Sequence, residues 1–268
     1  MVAFTSGAGG GSASASLEAV TIAFEPGNPV IADVTLTIER GEAVCLVGPS
    51  GGGKSTILNA LAGLVRPASG RVLFDGRPVT GPGPERAVVF QDAALFPWLT
   101  LADNIAFPLE VAGLATPEIE ARVDSLLRLV HLSRSRGAFP HELSGGMRQR
   151  GAIARALAMQ PRMILFDEPF AALDAQMREL LQGEVERLVH GTGTAMVFVT
   201  HQIEEAVRLG DRILLVGGRP GRVLGDVRVE LPRPRSERAD ELARSKIARE
   251  MARGIRAVVD RAAREEVR

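Results

Sequence analysis

Residues 48–55 read Gly48-Pro49-Ser50-Gly51-Gly52-Gly53-Lys54-Ser55: a glycine, four residues, then Gly-Lys-Ser. That spacing builds a phosphate-binding loop when a strand precedes it and a helix follows. Glu42–Val47 (EAVCLV) is short, apolar and β-branched, which predicts a buried strand. Ser55–Leu64 (STILNALAGL) spaces its apolar residues three and four apart, which predicts a helix. Glycines let the backbone turn tightly around an anion with successive N–H groups pointing inward. The helix N-terminus adds its partial positive charge. Lys54 then reaches the β- and γ-phosphates and Ser55 offers its hydroxyl to Mg²⁺, so Gly48 through Thr56 form the expected nucleotide-binding stretch. Lysine occurs at only two positions, Lys54 and Lys246, every other basic residue being arginine. A compact ammonium is kept where a cation must sit among phosphates.

The totals narrow the field. At 268 residues the chain suits one large domain or two intimate subdomains. Acidic and basic residues are equal in number, so no electrostatic footprint for nucleic acid is expected. The single cysteine, Cys45, falls within the predicted strand before the loop and reads as a small core residue, which fits a reducing cytoplasm. Apolar runs such as Ala195–Val199 are far too short to span a membrane. Residues 1–16 (MVAFTSGAGGGSASAS) lack a basic start and a continuous apolar stretch. They read as a disordered low-complexity lead rather than a secretory signal.

Structure is expected from Leu17. Leu17–Phe24 and Val30–Ile38 read as strands around a turn at 26–29, and Gly70–Asp75 and Arg86–Phe90 as two more, the last running into Gln91. From Asp92 the periodicity changes. An apolar loop, Ala94–Thr100 (ALFPWLT), precedes helical patterns at Leu101–Val111, Pro117–Val130 and Ser144–Met159, with Thr116 and Ser144 as caps. Residues 92–160 thus read as a helical insertion in a mixed sheet. The sheet resumes at Met163–Phe166, Ala195–Thr200, Arg212–Val216 and Arg222–Val229, with a helix at Asp174–His190. After a Pro-Arg-Pro-Arg run at 232–235, the tail spaces Leu242, Ile247, Met251, Ile255 and Val258 as an amphipathic helix. It either packs on its own domain or forms a contact surface.

Two further stretches carry chemistry. Asp167 and Glu168 end the apolar strand ILF, where Asp167 would hold Mg²⁺ and Glu168 would act as general base toward an attacking water. Ser144 caps a helix that starts with Gly145 and Gly146, which makes a second anion site remote from the first. One nucleotide rarely needs both. A homodimer in which each loop faces the other chain's Ser-Gly-Gly resolves this.

LSGGMRQR, lying between the phosphate loop and ILFDEP, resembles the signature of the ATP-binding cassette (ABC) ATPases, and the likeness extends over nearly all of 17–230. It implies an α/β P-loop NTPase fold: a RecA-like mixed-sheet core, an antiparallel β subdomain and an inserted helical subdomain. On the family's pattern Gln91 senses Mg²⁺ and γ-phosphate, Asp174 in Ala172-Leu173-Asp174 crosses the dimer interface, and His201 contacts the γ-phosphate. The family places an aromatic near the end of its first strand; here Phe24 stands at about that place, either stacking on adenine or packing in the core. FQDAALFPWLTLADNIAFPL together with LPRPR is similar to importers of nitrate, sulfonate and taurine. Such cassettes are cytoplasmic homodimers on the inner membrane beneath two transmembrane permease subunits, fed by an extracytoplasmic substrate-binding protein. Phe96, Trp98 and Leu99 then lie either at the permease contact or in the core of the helical region. The alternative is a soluble ABC ATPase of translation or DNA repair. That class carries two cassettes in one chain or a long coiled-coil insertion, and neither pattern is seen between these motifs.

Overall fold

The computed structural model describes residues 13–231 together with Arg235 and Arg253. Strands β1 (Ala13–Glu25) and β2 (Asn28–Glu39) form a hairpin, with Glu25 paired to Asn28 across Pro26-Gly27. Gly27 takes φ 78°, the left-handed conformation that glycine supplies at no steric cost. Strand β3 (Ala43–Val47) is buried along its whole length and leads into helix α1 (Lys54–Ala62). Strands β4 (Ser69–Phe74), β5 (Arg77–Pro78) and β6 (Arg86–Val89) follow. Helices α2 (Leu101–Val111), α3 (Thr116–Leu129) and α4 (Gly145–Ala158) come next. The chain then runs through β7 (Met163–Asp167), α5 (Ala175–Thr192), β8 (Ala195–Thr200), α6 (Ile203–Leu209), β9 (Arg212–Gly217) and β10 (Arg222–Arg228).

These strands make two sheets. One is antiparallel with order β2-β1-β4-β5; the other has order β10-β9-β3-β8-β7-β6 and is parallel except for its β10 edge. A parallel sheet covered on both faces needs near-continuous apolar strands. β3 obeys this by dividing its side chains between two cores. Ala43, Cys45 and Val47 pack with α2–α4, α6 and Phe166, whereas Val44 and Leu46 pack with α1 and the antiparallel sheet. Phe166 of β7 and Phe198 of β8 stack with centroids 4.5 Å apart beneath the strand ends.

The sequence-based elements stand with small shifts. Strand β8 and helix α2 have the expected bounds. β1 begins at Ala13 rather than Leu17, so the end of the lead is strand, with Ser14 and Ala15 buried. Thr116 is the first helical residue of α3 and not its cap; the cap position is Ala115, whose methyl cannot hydrogen-bond. Helix α6 has no counterpart in the sequence reading. β3 and β7 are not adjacent in the sheet: β8, the strand that leads to His201, lies between them. The predicted tail helix lies outside the described residues apart from Arg253. Among the described residues no helix is long and apolar enough to cross a membrane.

Arg235 is the largest fully buried side chain, 1% exposed. Its guanidinium donates to the carbonyls of Val229, Leu231, Val207 and Gly210, and its backbone N–H donates to Glu186 Oε1 at 2.9 Å. A buried cation is tolerated only when its donors are satisfied. This one ties the chain after β10 to α5 and to the end of α6.

Candidate nucleotide site

Ligands of open α/β sheets bind beyond the carboxyl ends of the parallel strands, and here three such ends carry the predicted residues. At the end of β3 the loop is held by close backbone packing. A Cβ on Gly48 would fall inside the van der Waals shell of the Val216 carbonyl oxygen, and one on Gly53 would strike Ile31 Cγ2. Gly51 and Gly53 adopt φ 81° and 89°. Gly52 is buried, Pro49 half-buried and Ser50 exposed at the tip. Lys54 is 7% exposed, and its Nζ donates to Gly48 O at 3.0 Å and Pro49 O at 2.7 Å, so the ammonium lies within the loop. Burial lowers its pKa, opposed by the nearby carboxylates of Glu168 and Asp167.

At the end of β7, Asp167 Oδ1 accepts a hydrogen bond from Ser55 Oγ at 3.1 Å. Burial raises the Asp167 pKa; the Ser55 hydrogen bond and Lys54 pull the other way, and Glu168 adds to the rise. A hydroxyl and a carboxylate side by side are hard oxygen donors suited to Mg²⁺. Among the described residues no group of three or more His, Cys, Asp or Glu gathers for a metal. A metal at this place would therefore complete its shell with phosphate oxygens and water, the usual arrangement for Mg²⁺.

Glu168 follows in the left-handed region at φ 47°, its N–H donating to Val199 O at 3.0 Å. A non-glycine residue at positive φ is uncommon, and such strain gathers at functional sites. The turn brings Glu168 Oε1 to 3.4 Å from Nδ1 of His201, which directly follows β8. Lys54, Ser55, Asp167, Glu168 and His201, spread over 148 positions (201 less 54, plus one), thus meet at one edge of the sheet.

The other predicted residues stand apart from this group. Ser144 caps α4, its Oγ accepting from the Met147 N–H at 3.2 Å, and Ser144 and Gly145 are exposed. Gly146 packs on the loop before α5: a Cβ there would lie 3.1 Å from Leu173 Cδ2 and 3.4 Å from Ala172 O. Asp174 caps α5 by accepting from the Met177 N–H at 2.9 Å. Gln91 is exposed just after β6. Thr56 is half-buried in the first turn of α1. Phe24 is 65% exposed at the end of β1, not a core residue. Trp98 is 70% exposed, its ring 5.6 Å from that of Phe96, which in turn meets Phe107 at 5.0 Å.

The family model "ABC transporter" matches residues 31–171, a span that holds the phosphate loop, Gln91, the Ser-Gly-Gly helix start and the Asp167-Glu168 pair. The chain belongs to the ABC transporter family. It is 48% identical over 202 residues to the taurine import ATP-binding protein of Rhizobium johnstonii, covering 75% of this chain and 77% of that protein. It is 43% identical over 220 residues to a nitrate import ATP-binding protein of Synechococcus elongatus, covering 80% of each. Among solved structures, the dimeric post-hydrolysis state of the cassette MJ0796 bound to ADP and Pi superposes with TM-score 0.74 at 33% identity, covering 81% of this chain and all of that one. The fold is the cassette that the motifs imply, and the ABC chain is an ATP-binding ATPase.

Sequence reasoning gave no role to Gln149 inside LSGGMRQR. It is 2% exposed and its Nε2 donates to Phe90 O at 2.9 Å, fastening α4 to the loop that carries Gln91. Its only sequence signal is a polar residue on the apolar face of a helix. Thr200 and Glu205, beside His201, were also passed over.

Proposed function

We propose that this chain powers the import of a small solute of the nitrate, sulfonate or taurine kind. It works as a homodimer on the cytoplasmic face of the inner membrane, beneath two transmembrane permease subunits supplied by an extracytoplasmic binding protein. Support for import, rather than translation or DNA repair, comes from relatives that are themselves taurine and nitrate import subunits. The exposed Trp98 and Phe107 rings, joined by the half-buried Phe96, support a permease contact, since a clustered apolar patch marks a protein or membrane partner.

The convergence of Lys54, Ser55, Asp167, Glu168 and His201 carries the chemistry. Residues Gly48 to Thr56 cradle the triphosphate, with Lys54 reaching its β- and γ-groups. Ser55, Asp167 and Gln91 would hold Mg²⁺, which would supply charge neutralisation for the triphosphate. Glu168 takes the proton of the attacking water, and His201 holds the γ-phosphate in line. Phe24 stacks on adenine. Ser144, Gly145 and Gly146 of each chain face the nucleotide held by the other, with Asp174 crossing between them. The cassette comprises 17–230, with 92–160 as its helical insertion.

Glu168→Gln tests the base. Steady hydrolysis is expected to fall about 10²–10⁴-fold, with ATP binding retained and an ATP-bound dimer accumulating on size exclusion. Normal turnover would overturn the assignment. For import, a tagged chain purified from detergent-solubilised membranes should bring a stoichiometric multi-span protein; recovery only with ribosomes or DNA would remove the transport claim.

A further inference from the structure

His201 stands on a short connection whose shape is set by side chains behind it. Thr200, the last residue of β8, is 2% exposed. Its Oγ1 donates to Glu205 Oε2 and accepts from the Gln202 N–H at 3.1 Å. One hydroxyl therefore bridges the residue before His201 and the residue after it. Glu205 belongs to α6, and its Oε1 accepts from Gln182 Nε2 at 2.8 Å. Gln182, 2% exposed on α5, in turn accepts from Arg208 at 3.1 Å. Glu205 is a half-buried carboxylate with both oxygens engaged, and moving it would break both hydrogen bonds at once.

We infer that Thr200 and Glu205 are positioning residues for His201, holding its ring at Glu168 through the 200–202 turn. Thr200 acts through the backbone on either side of the histidine, and Glu205 holds the Thr200 hydroxyl while its charge also faces His201. The relay also reaches α5, whose cap is Asp174, so the histidine turn and the proposed dimer-crossing loop share one hydrogen-bonded frame. The inference rests on the reading of Glu168 and His201 as the hydrolytic pair.

The test compares Thr200→Val, Thr200→Ser, Glu205→Gln and His201→Ala in the full chain, reading ATPase kcat, the KM for ATP and the affinity for ADP. Thr200→Val keeps the shape of the side chain and removes the hydroxyl. Its kcat is expected to fall at least about tenfold while KM and ADP affinity stay within about twofold, since binding groups are untouched. Unchanged ADP affinity also shows that the variant is folded. Thr200→Ser should restore kcat. Glu205→Gln, which keeps one acceptor oxygen but turns an amide toward Gln182, should fall in between and serves if Thr200→Val does not fold. A purely structural role predicts that the losses of Thr200→Val and His201→Ala multiply. A positioning role predicts that the double variant is no slower than His201→Ala alone. Wild-type kcat in Thr200→Val, or multiplying losses, would overturn the inference while leaving the hydrolytic reading intact. Wild-type kcat in His201→Ala would instead overturn that reading and the inference with it.

Discussion

The chain carries two glycine-rich helix starts, and they are built in opposite ways. At the phosphate loop Gly48 is wedged against the Val216 backbone and Gly53 against the Ile31 side chain, and the lysine is buried and bonded to the loop's own carbonyls. At the start of α4, Gly145 faces open space, its nearest neighbour being an Arg148 guanidinium nitrogen 3.9 Å from a Cβ added there. Ser144 there is exposed and bonded only to its own helix. The first site has its walls, cation and carboxylates within one chain. The second has an exposed cap and an exposed first glycine, the face that the proposed second chain would cover.

The contrast breaks most sharply by adding one methyl. Gly48→Ala would force a carbon into the Val216 carbonyl oxygen, where the nearest atoms are all Val216 backbone and no flexible side chain can give way. A loss of about 3 kcal/mol or more is expected, read as an early denaturant midpoint together with lost nucleotide binding. A stable Gly48→Ala protein that binds ATP would mean that the loop is looser than its packing implies.

A smaller effect of opposite sign is expected at Asp167. Burial holds its folded pKa above the ordinary carboxylate value. The folded state therefore binds more protons than the unfolded state as pH rises through that window, and stability falls across it. The contribution is fully present below the unfolded pKa and lost once pH passes the folded one. Asp167→Asn removes the penalty at neutral pH, so the nucleotide-free chain should gain stability, by a margin that partial solvent exposure keeps small, while losing hydrolysis. The gain should disappear in acid, where Asp167 is protonated. Thermal melts of both proteins across pH would show it; an Asp167→Asn variant less stable at neutral pH would mean that the Ser55 hydrogen bond outweighs desolvation.

The same contrast explains what could be read from sequence. The phosphate loop is legible because its spacing and flanking apolar runs are local. Ala195–Thr200 is legible because six apolar or β-branched residues cannot be solvated. The placing of β8 between β3 and β7 is not local; no residue of β8 states its neighbours. Helix α6 is short, and the residue at its start, Gln202, makes no side-chain cap bond, so a start signal is missing. The Pro-Arg-Pro-Arg run marks a break before the tail and carries no signal that Arg235 is buried. Its burial depends on carbonyls of 207, 210, 229 and 231 that only the fold brings together. Thr116 reads as a cap because threonine is a favoured cap type and Pro117 would then take the favoured first helical position, yet the helix starts one residue earlier and Pro117 stands second.

The second site offers the finest test, because there stability and activity should part. Gly145→Ala places a methyl in open space at the first position of α4, where alanine favours the helix over glycine. Stability is expected to stay level or rise by a few tenths of a kcal/mol, well under the full difference of about 1 kcal/mol for a helix interior. If the N–H groups of this helix start face a nucleotide on the second chain, the methyl stands between donor and phosphate. Hydrolysis should then drop at least about tenfold, while an isolated monomer binds ATP as before. A variant that is stable, binds ATP and hydrolyses it normally would show that this helix start faces no nucleotide. The openness of Gly145 would then need a different partner.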